Sequence, residues 1–517
     1  MLKEINEVYG KTDCRDLGSR QLADLRDGLK NVQPEEISSL SDGLMYIELL
    51  HMFRSAVAEN DKLHGDNYPS LLNSLLSVGE DGLYSNNLRF IFELIQNVDD
   101  CDYPNTDDCR LDMQFRFGED EIILTYNEVG FTPFNVFAIT GIAEAAKNIS
   151  SSKNEIGEKG IGFKSVFGVA DKVLIRSGWF SFVLNKENFT VPVSSYSSSS
   201  DTYIEGTEMT LYVPGKAKLI YSQIKNQYCR KEAIFSRNPL LFLNKLTSLN
   251  IFFDTWRRME FHVSKKAQMT EGGIHREDNI RVFVDLHDYD NGIDTNVTES
   301  FMCTRYTLPV TYSREACQAR YGNDTKVGEN GGKKMLLQAV LPTPEHVADV
   351  VNGSLYSFLP TQLKLTVPIV IHVPFKLDAS REFVDPQNHN RWFFESSQKL
   401  LELMEYLYKD WCKTVKSDIV FYIPGAKESL FAPNNGKEKC LSNNNDFQGI
   451  HFLKLPVFIT TDNAYRSHQD VFSFNPDENV LEPERVYRML MVKKDLFLAP
   501  ETVNPRKYDI NISYFAA

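Results

Sequence analysis

Three observations predict an α+β protein of several domains. A chain of 517 residues is too long for one compact hydrophobic core, so we expect two to four domains. Apolar residues recur with helical spacing in residues 15–82 and again near 394–415. Between these helical stretches lie strand-like runs, among them EIILTY at 121–126 and EMTLYV at 208–213.

Changes in this pattern along the chain predict the domain organisation. We expect an N-terminal helical extension at 1–82, a first α+β domain at 83–215 and a second at 216–415. The second domain includes a β-rich stretch at 365–375, LTVPIVIHVPF. Residues 416–517 are a loop-rich region where a further domain would begin, and the sequence leaves open whether more chain follows.

The composition is typical of a soluble globular protein, with 42% hydrophobic and 24% charged residues. Acidic side chains number 70 against 56 basic ones, a net charge of -14, which disfavours broad nucleic-acid binding because phosphate contacts need clustered Lys and Arg. The sequence has neither a signal peptide nor an apolar run of about 18 residues, so we expect no membrane span. Eight scattered cysteines without a C-x-x-C pair indicate free thiols and a cytoplasmic location.

The helix predicted at 87–100, NLRFIFELIQNVDD, has two different faces. The apolar face consists of Ile91, Leu94, Ile95 and Val98. On the opposite face, Glu93, Asn97 and Asp100 fall within about 60° of one another. The simplest interpretation is an amphipathic surface helix with a solvated polar side. The polar residues would also suit a site that positions a water and holds Mg²⁺, because a nucleotide-bound Mg²⁺ takes only one or two protein oxygens.

A glycine-rich segment follows at 154–167, NEIGEKGIGFKSVF. Its glycines form the pattern G-x-x-G-x-G: Gly157, Gly160 and Gly162. Glycine lets backbone N–H groups approach phosphates closely, and the N-terminus of the helix that follows adds a favourable dipole. The segment is not a Walker A loop, because Phe163 stands before Lys164 where Gly is required. It is not a Rossmann fingerprint either, because that motif begins with G-x-G and directly follows the first strand, and this segment does neither. A kinase glycine loop is excluded because its companion motifs do not occur in the sequence.

Two further features stand at strand ends. The segment EIILTYNEVGFT places Glu128 and Gly130 after a strand, with Asn127 as a second polar candidate beside them. Taken alone, Glu128 is equally well explained as a turn acid. The segment GTEMTLYV places Gly206 and Thr207 at the start of another strand, and a Gly-Thr pair alone is common by chance.

Taken in order, these four features resemble the motifs of the GHKL (Bergerat-fold) ATPase superfamily, and they span about 115 residues. The segments FELIQNVDDCDY, NEVGFT and IGEKGIGFKSVF are most similar to the sacsin / No Vein group, whose ATP-binding domain is of the heat-shock-chaperone type. The resemblance covers roughly residues 80–400. It implies a GHKL α/β sandwich at 83–215, with helices on one face of a mixed sheet, and a transducer- or middle-like α+β domain at 216–415. The chain departs from the usual D-x-G-x-G motif, because Glu128 replaces the aspartate and one glycine is missing.

The resemblance also implies roles for individual residues. Glu93 would act as general base or orient the attacking water, and Asn97 would bind Mg²⁺. Glu128, or alternatively Asn127, would accept a hydrogen bond from the exocyclic amine of adenine, with Thr207 fixing an intervening water. The residues implied to bind ATP are Asn97, Asp100, Glu128, Gly130, Gly157, Gly160, Ile161, Gly162, Phe163 and Thr207. The stretch KNISSSKN at 147–154 would be the ATP lid.

A second motif lies further along the chain. LYSFLPT at 355–361 matches the pattern of the same group, and Ser380-Arg381-Glu382 resembles the S-R-E of the chaperone middle domain. The resemblance implies that Arg381 reaches the γ-phosphate, a task that suits a side chain which is always charged and forks onto oxygens. A surface arginine in a salt bridge is the alternative. Lys364 resembles the lysine of gyrase-like transducer domains more weakly.

We therefore expect a slow ATPase with ATP and Mg²⁺ as ligands. The resemblance to the sacsin / No Vein group implies a chaperone-like conformational machine that dimerises on ATP binding and engages protein partners. It also implies a role in a prokaryotic anti-phage defence system. An ATP-sensing regulatory module with little or no turnover is the alternative. A signalling kinase is a third class, for which the sequence offers no receiver domain, membrane sensor or phospho-accepting helix motif.

Overall fold

The structure is a computed structural model, and its contacts group the chain into two compact units. The first unit consists of Met1–Arg230, Leu243–Lys266 and Val284–Glu299, and the second of Lys231–Phe242, Ala267–Phe283 and Ser300–Ala517. The structure describes residues 1–64, 88–103, 112–141, 161–196, 203–229, 231–254, 257–264, 273–290, 293–321, 332–350, 352–377, 383–384, 391–433, 441, 444–460, 463–473, 497–498 and 511–512.

The first unit combines helices with a mixed sheet. Its helices are α1 (Leu2–Tyr9), α2 (Ser19–Asn31), α3 (Leu40–His64), α4 (Arg89–Asp100), α5 (Pro133–Thr140), α6 (Ile161–Lys164) and α7 (Ala217–Tyr228). Its strands are β1 (Asp112–Phe117), β2 (Glu121–Tyr126), β3 (Lys172–Gly178), β4 (Phe180–Asn185), β5 (Asn188–Ser194), β6 (Ile204–Tyr212), β7 (Ser248–Phe252) and β8 (Arg258–Val263). Short 3₁₀ turns occur at Cys14–Asp16, Pro34–Glu36 and Ser165–Gly168.

The strands of this unit are hydrogen-bonded in the order β8-β7-β1-β2-β6-β3-β4-β5. Strands β1 and β7 run parallel, and the other pairs are antiparallel. Buried and half-buried side chains alternate along β2, as expected for a strand with one face against the core. The same pairing places β6 between β2 and β3, which brings three distant segments of sequence side by side.

The N-terminal helices pack onto this unit through buried polar contacts. From α3, the Tyr46 hydroxyl donates to Pro133 O at 2.8 Å, and Arg54 Nη2 donates to Phe137 O at 2.9 Å. Strand β5 packs against α3 as well. The helical extension predicted from the sequence is therefore helical through His64, and residues 65–82 lie outside the described residues.

The second unit is also α+β. Its helices are α8 (Lys231–Ser236), α9 (Arg314–Tyr321), α10 (Arg391–Val415) and α11 (Gly449–Phe452). Its strands are β11 (Lys333–Pro342), β12 (Ser354–Ser357), β13 (Leu359–Lys364), β14 (Val370–His372), β15 (Phe458–Ile459), β16 (Tyr465–Arg466), β17 (Val471–Ser473), β18 (Phe497–Leu498) and β19 (Asn511–Ile512). Strands β9 (His275–Asp290) and β10 (Ile293–Tyr312) have residues in both units. Its 3₁₀ turns are Val347–Asp349, Lys416–Phe421, Asn445–Phe447 and His468–Asp470.

Helix α10 contributes several large aromatic side chains to the second unit's core. Trp392 stacks on Tyr312 with ring centroids 3.8 Å apart, and Trp411 is buried further along the same helix. Within this unit the strands are paired in the order β13-β12-β14-β11-β10, with β12 and β14 parallel. Aliphatic residues on the same helix are buried as well, and together with these rings they give the apolar spacing that predicts the helix: Leu400, Leu403, Met404 and Leu407.

The structure confirms several elements expected from the sequence. EIILTY is strand β2, EMTLY lies within β6, and the helices predicted at 87–100 and near 394–415 are α4 and α10. The β-rich stretch predicted at 365–375 is mostly wrong, because only Val370–His372 forms a strand. Pro368 and Pro374 flank that strand and lack the N–H that a ladder needs. The remaining apolar residues of the stretch are buried outside the named strands: Leu365, Val367, Ile369, Val373 and Phe375.

Candidate functional site

Helix α4 is buried on more than its apolar face. The four apolar residues predicted to face the core are buried: Ile91, Leu94, Ile95 and Val98. Glu93 from the polar face is also buried, with a relative exposure of 4%, while Asn97 and Asp100 are half-buried. A surface helix with a fully solvated polar side is therefore not what the chain forms. A carboxylate is buried at Glu93 only at a cost in desolvation free energy.

Asp99 is a residue that the sequence analysis missed. Its carboxylate is 1% exposed and accepts three backbone N–H groups, each at 2.7 Å, from Asn244, Lys245 and Leu246. These bonds fix the end of α4 to the segment that leads into β7. Position 99 breaks the i, i+4, i+7 spacing of the polar residues, so the sequence offered only the Asp99-Asp100 pair as a signal.

Further contacts hold the C-terminal end of α4. The Lys245 ammonium donates to Cys101 O and lies 5.8 Å from the centre of the Tyr103 ring. The Tyr103 hydroxyl donates to Val98 O at 2.7 Å, and burial raises its pKa well above the usual value, so it stays protonated. A cation at a helix C-terminus is also favoured by the helix dipole. The position of Asn97 is thereby set by a rigid helix end.

The second part of the site lies where β2 and β6 end side by side. Tyr126 pairs with Thr207 in the sheet, which brings Thr207 next to the turn that follows β2. Thr207 Oγ1 donates to Glu128 Oε1 at 2.5 Å, and the two residues are 2% and 7% exposed. Burial, with a further contribution from the nearby Glu128 charge, raises the pKa of Tyr126. The result is a buried carboxylate held by a hydroxyl group.

Ser177 completes this hydrogen-bonded chain and was not predicted. It lies opposite Thr207 in the β3–β6 pairing, and its Oγ is 2.6 Å from Thr207 Oγ1. The backbone N–H of Phe131 donates to Ser177 Oγ at 2.7 Å. Ser177 belongs to no motif, and only the register of β3 against β6 brings it to the site.

Two glycines make this packing possible. Gly130 has φ +92° and Gly206 has φ +78°, a backbone region that residues with a Cβ rarely adopt. A Cβ on Gly206 would stand 2.3 Å from Tyr126 O, so only glycine allows β6 to approach β2 this closely. The sequence pattern selected Gly130 and the Gly206-Thr207 pair, and the structure supplies the steric reason for both.

Asn127, the alternative to Glu128, has a different contact. Its Oδ1 accepts the backbone N–H of Asp112 at 3.0 Å, at the start of β1. The Glu128 carboxylate instead reaches Thr207 on β6. The two candidates therefore have different hydrogen-bond partners on different strands.

The glycine-rich segment is described only in part. Gly157 and Gly160 lie outside the described residues, as does the stretch 147–154, while Ile161 and Gly162 begin helix α6. Phe163 is buried, and α6 packs against α4.

The lysine of this segment has no Walker-type arrangement. The Lys164 ammonium donates to Ile139 O and, at 3.2 Å, to Phe189 O. Burial lowers the pKa of Lys164 well below its ordinary value. A lysine engaged with two backbone carbonyls serves packing, in agreement with the mismatch to the Walker A pattern.

In the second unit, LYSFLPT forms β12, Phe358 and the start of β13. Phe358 has φ +67°, and its N–H donates to His372 Nδ1 at 3.1 Å. Burial lowers the pKa of His372 to about 3, so the ring stays neutral and can accept this bond. Lys364 is exposed at the end of β13, and Arg381 lies outside the described residues.

Over the ranges that the structure describes, no group of three or more His, Cys, Asp or Glu side chains is arranged to hold a metal ion. A nucleotide-bound Mg²⁺ does not need such a group, because it takes most of its ligands from phosphates and waters. The cysteines that the structure describes, Cys14, Cys101, Cys229, Cys303, Cys317 and Cys412, are free thiols. Among the helices that the structure describes, none has both the length and the apolar character needed to cross a bilayer.

The class of protein that emerges is a mixed α+β chain with a large mixed sheet, and its first unit carries a buried carboxylate bound by a threonine hydroxyl. No family model matches the chain. Over 100 residues the chain is 42% identical to Protein NO VEIN of Arabidopsis thaliana. These residues are 19% of this chain and 4% of that protein, so the chain spans only a small fraction of its relative's length. The match agrees with part of the resemblance expected from the sequence, a No Vein-like relationship.

Proposed function

We propose that the first unit binds ATP in a GHKL-type pocket and hydrolyses it slowly. The observation that carries the proposal is the buried Glu128 carboxylate hydrogen-bonded to Thr207, two residues selected from sequence motifs 79 positions apart. A carboxylate accepts hydrogen bonds only, so the group it recognises must be a donor such as the exocyclic amine of adenine. Since Asn127 is bonded to Asp112, Glu128 is the better candidate for this contact.

Helix α4 would supply the catalytic end of the same pocket. Glu93 and Asn97 are one turn apart on a helix whose C-terminal end is fixed by Asp99. In the proposal, Glu93 orients or deprotonates the attacking water and Asn97 binds the Mg²⁺ that bridges the phosphates. Asp100 forms part of the pocket wall, and the glycine amides that follow Gly157 stabilise charge on the γ-phosphate.

The wider function is a further proposal. The resemblance of the sequence motifs to the sacsin / No Vein group motivates a chaperone-like conformational machine, in which Arg381 would contact the γ-phosphate and ATP binding would lead to a homodimer. A role in anti-phage defence with protein partners belongs to the same proposal. Turnover would be slow, because conformational closure often limits such proteins rather than the chemical step.

Calorimetric titration with ADP and Mg²⁺, together with phosphate release from ATP, tests the proposal. We expect Glu93→Ala to bind nucleotide but release no phosphate, and Asn97→Ala to lose binding. Glu128→Ala should weaken ADP binding at least about tenfold, since a buried acceptor for the base is lost. The matched control is Glu205→Ala, an exposed acid on the same strand as Thr207.

Three results would change the proposal. Wild-type protein that binds no adenine nucleotide refutes it outright. Normal hydrolysis by Glu93→Ala refutes the role of that residue. Binding without any phosphate release by the wild type favours an ATP-sensing module over an ATPase.

A further inference from the structure

Segment 101–103, which follows helix α4, joins the two parts of the candidate site. The backbone N–H of Val129, the residue after Glu128, donates to Asp102 O at 3.0 Å. Asn97 lies in the last turn of α4, which leads into this segment. The turn that carries Glu128 is therefore bonded to the chain that leaves the helix carrying Asn97.

Three side chains hold segment 101–103 against the end of α4. The Tyr103 hydroxyl donates to Val98 O at 2.7 Å, and that carbonyl also accepts the backbone N–H of Cys101 at 3.2 Å. The Cys101 thiol donates to Asn97 O at 3.2 Å, and the Lys245 ammonium donates to Cys101 O. The last carbonyls of a helix lack partners within the helix, so these donors determine the direction in which the chain continues.

Among these three side chains, Tyr103 has the bond that should matter most. A thiol such as that of Cys101 is a weak donor, and Lys245 is exposed, so water can replace its bond. Tyr103 is half-buried. Burial, followed by smaller contributions that include the nearby Glu128 charge, raises the pKa of Tyr103, so the phenol stays a donor.

We infer that Tyr103 is a positioning residue that sets the spacing between the base acceptor Glu128 and the Mg²⁺ ligand Asn97. The inference rests on the proposed function. A nucleotide that contacts both ends of the site gains from a fixed spacing, because less ordering remains to be done when its second contact forms. A ligand that contacts only one end gains nothing from that spacing. The Tyr103 hydroxyl is bonded to Val98 O, so it acts through the backbone and not on the ligand.

The experiment compares two dissociation constants in the full chain by calorimetric titration, that of ADP with Mg²⁺ and that of adenosine, which lacks the phosphates. Tyr103→Phe keeps the ring and removes the hydroxyl. It should weaken ADP binding about three- to tenfold, the range that one hydrogen bond contributes, and change adenosine binding by less than about twofold. Lys245→Met should shift the ratio of the two constants in the same direction by a smaller factor, because its bond is exposed to water.

Tyr46→Phe is the matched control. It removes a fully buried hydroxyl of the first unit that donates to Pro133 O at 2.8 Å. We expect a loss of stability in urea unfolding similar to that of Tyr103→Phe, with the ratio of the two constants changed by less than about twofold. If Tyr46→Phe changes the ratio as much as Tyr103→Phe does, lower stability causes the effect and the inference is wrong.

Amide hydrogen exchange at Val129 tests the physical connection directly. Tyr103→Phe should speed exchange of this N–H, because its acceptor Asp102 O is then held less firmly. Unchanged exchange at Val129 would contradict the inference. If Tyr103→Phe does not fold, Lys245→Met decides the question by the same two measurements.

The remaining outcomes separate the inference from the proposed function. Wild type that binds neither ADP nor adenosine refutes the proposed function and the inference with it. Wild type that binds both ligands, with a ratio that Tyr103→Phe leaves unchanged, overturns the inference alone. Equal weakening of ADP and adenosine also overturns it, because Tyr103 would then act on the base end only.

Discussion

The buried carboxylate of Asp99 provides a stability test that does not depend on any ligand. Its side chain accepts three backbone N–H groups at 2.7 Å and is 1% exposed. In Asp99→Asn, the remaining carbonyl oxygen can still accept from Lys245 and Leu246. The new NH₂ group then faces the N–H of Asn244. One charge-assisted hydrogen bond is therefore lost, and two hydrogen-bond donors face each other in its place.

The size of the effect follows from these contacts. A hydrogen bond to a charged group contributes about 1.5–3 kcal/mol, and a buried group left unpaired costs about 1–3 kcal/mol. Because Asn244 is exposed, water recovers part of the lost bond. We expect Asp99→Asn to lower the free energy of unfolding of the first unit by about 2–4 kcal/mol. Asp102→Asn, an exposed acid three residues away, should change it by less than about 0.5 kcal/mol.

Urea unfolding combined with amide hydrogen exchange measures this change. Exchange gives a local reading at residues 244–246, which is useful because a chain of two units need not unfold in one step. The Asp99→Asn protein should lose protection at these amides before it loses protection in β2. A loss of less than about 1 kcal/mol with protected amides at 244–246 would refute the argument that the carboxylate holds this segment.

Two further substitutions test the packing around the site. Gly206→Ala should destabilise the protein by about 1–3 kcal/mol, because φ is +78° and the added Cβ would meet Tyr126 O at 2.3 Å. Gly215→Ala is the control, because Gly215 also has a positive φ, +67°, but has open space around it. If both variants lose the same stability in urea unfolding, the clash with Tyr126 O is not what destabilises Gly206→Ala. The lowered pKa of Lys164 means that the unfolded chain binds more protons between the folded and unfolded pKa values, so stability should rise with pH toward 10.5, the ordinary lysine value. Lys164→Met should flatten that rise in unfolding midpoints taken between pH 7 and 10, and an unchanged slope would show that another group causes it.

The sequence predicted the elements whose periodicity is strong. Helix α4 and strand β2 carry regular apolar spacing, and both formed within two residues of the expected bounds. The prediction of a β-rich stretch at 365–375 was mostly wrong. Its apolar residues do not alternate with polar ones, and without alternation the sequence cannot distinguish buried residues from residues paired in a strand. Pro368 and Pro374 were the signals against a long strand.

The candidate site was predictable only where a motif marks it. Glu128 and Thr207 come from separate motifs, and the structure joins their side chains by a direct hydrogen bond, while the roles that the resemblance implies for them stay predictions. Ser177 and Asp99 carry no motif, because their partners are set by strand register and by the backbone of a distant segment. Such contacts depend on tertiary pairing, which local spacing does not encode.

The position of β6 between β2 and β3 also constrains how the chain is made. During synthesis on a ribosome, β2, β3, β4 and β5 all emerge before β6, yet β2 and β3 each need β6 as a neighbour. The sheet therefore stays open until the nascent chain has passed Tyr212, with the edges of two finished strands exposed in the meantime. A pause in translation just before this point would lengthen the time for which the edges of β2 and β3 are unpaired. Synthesis of residues 204–212 therefore ends the period in which these edges can pair with other chains and aggregate.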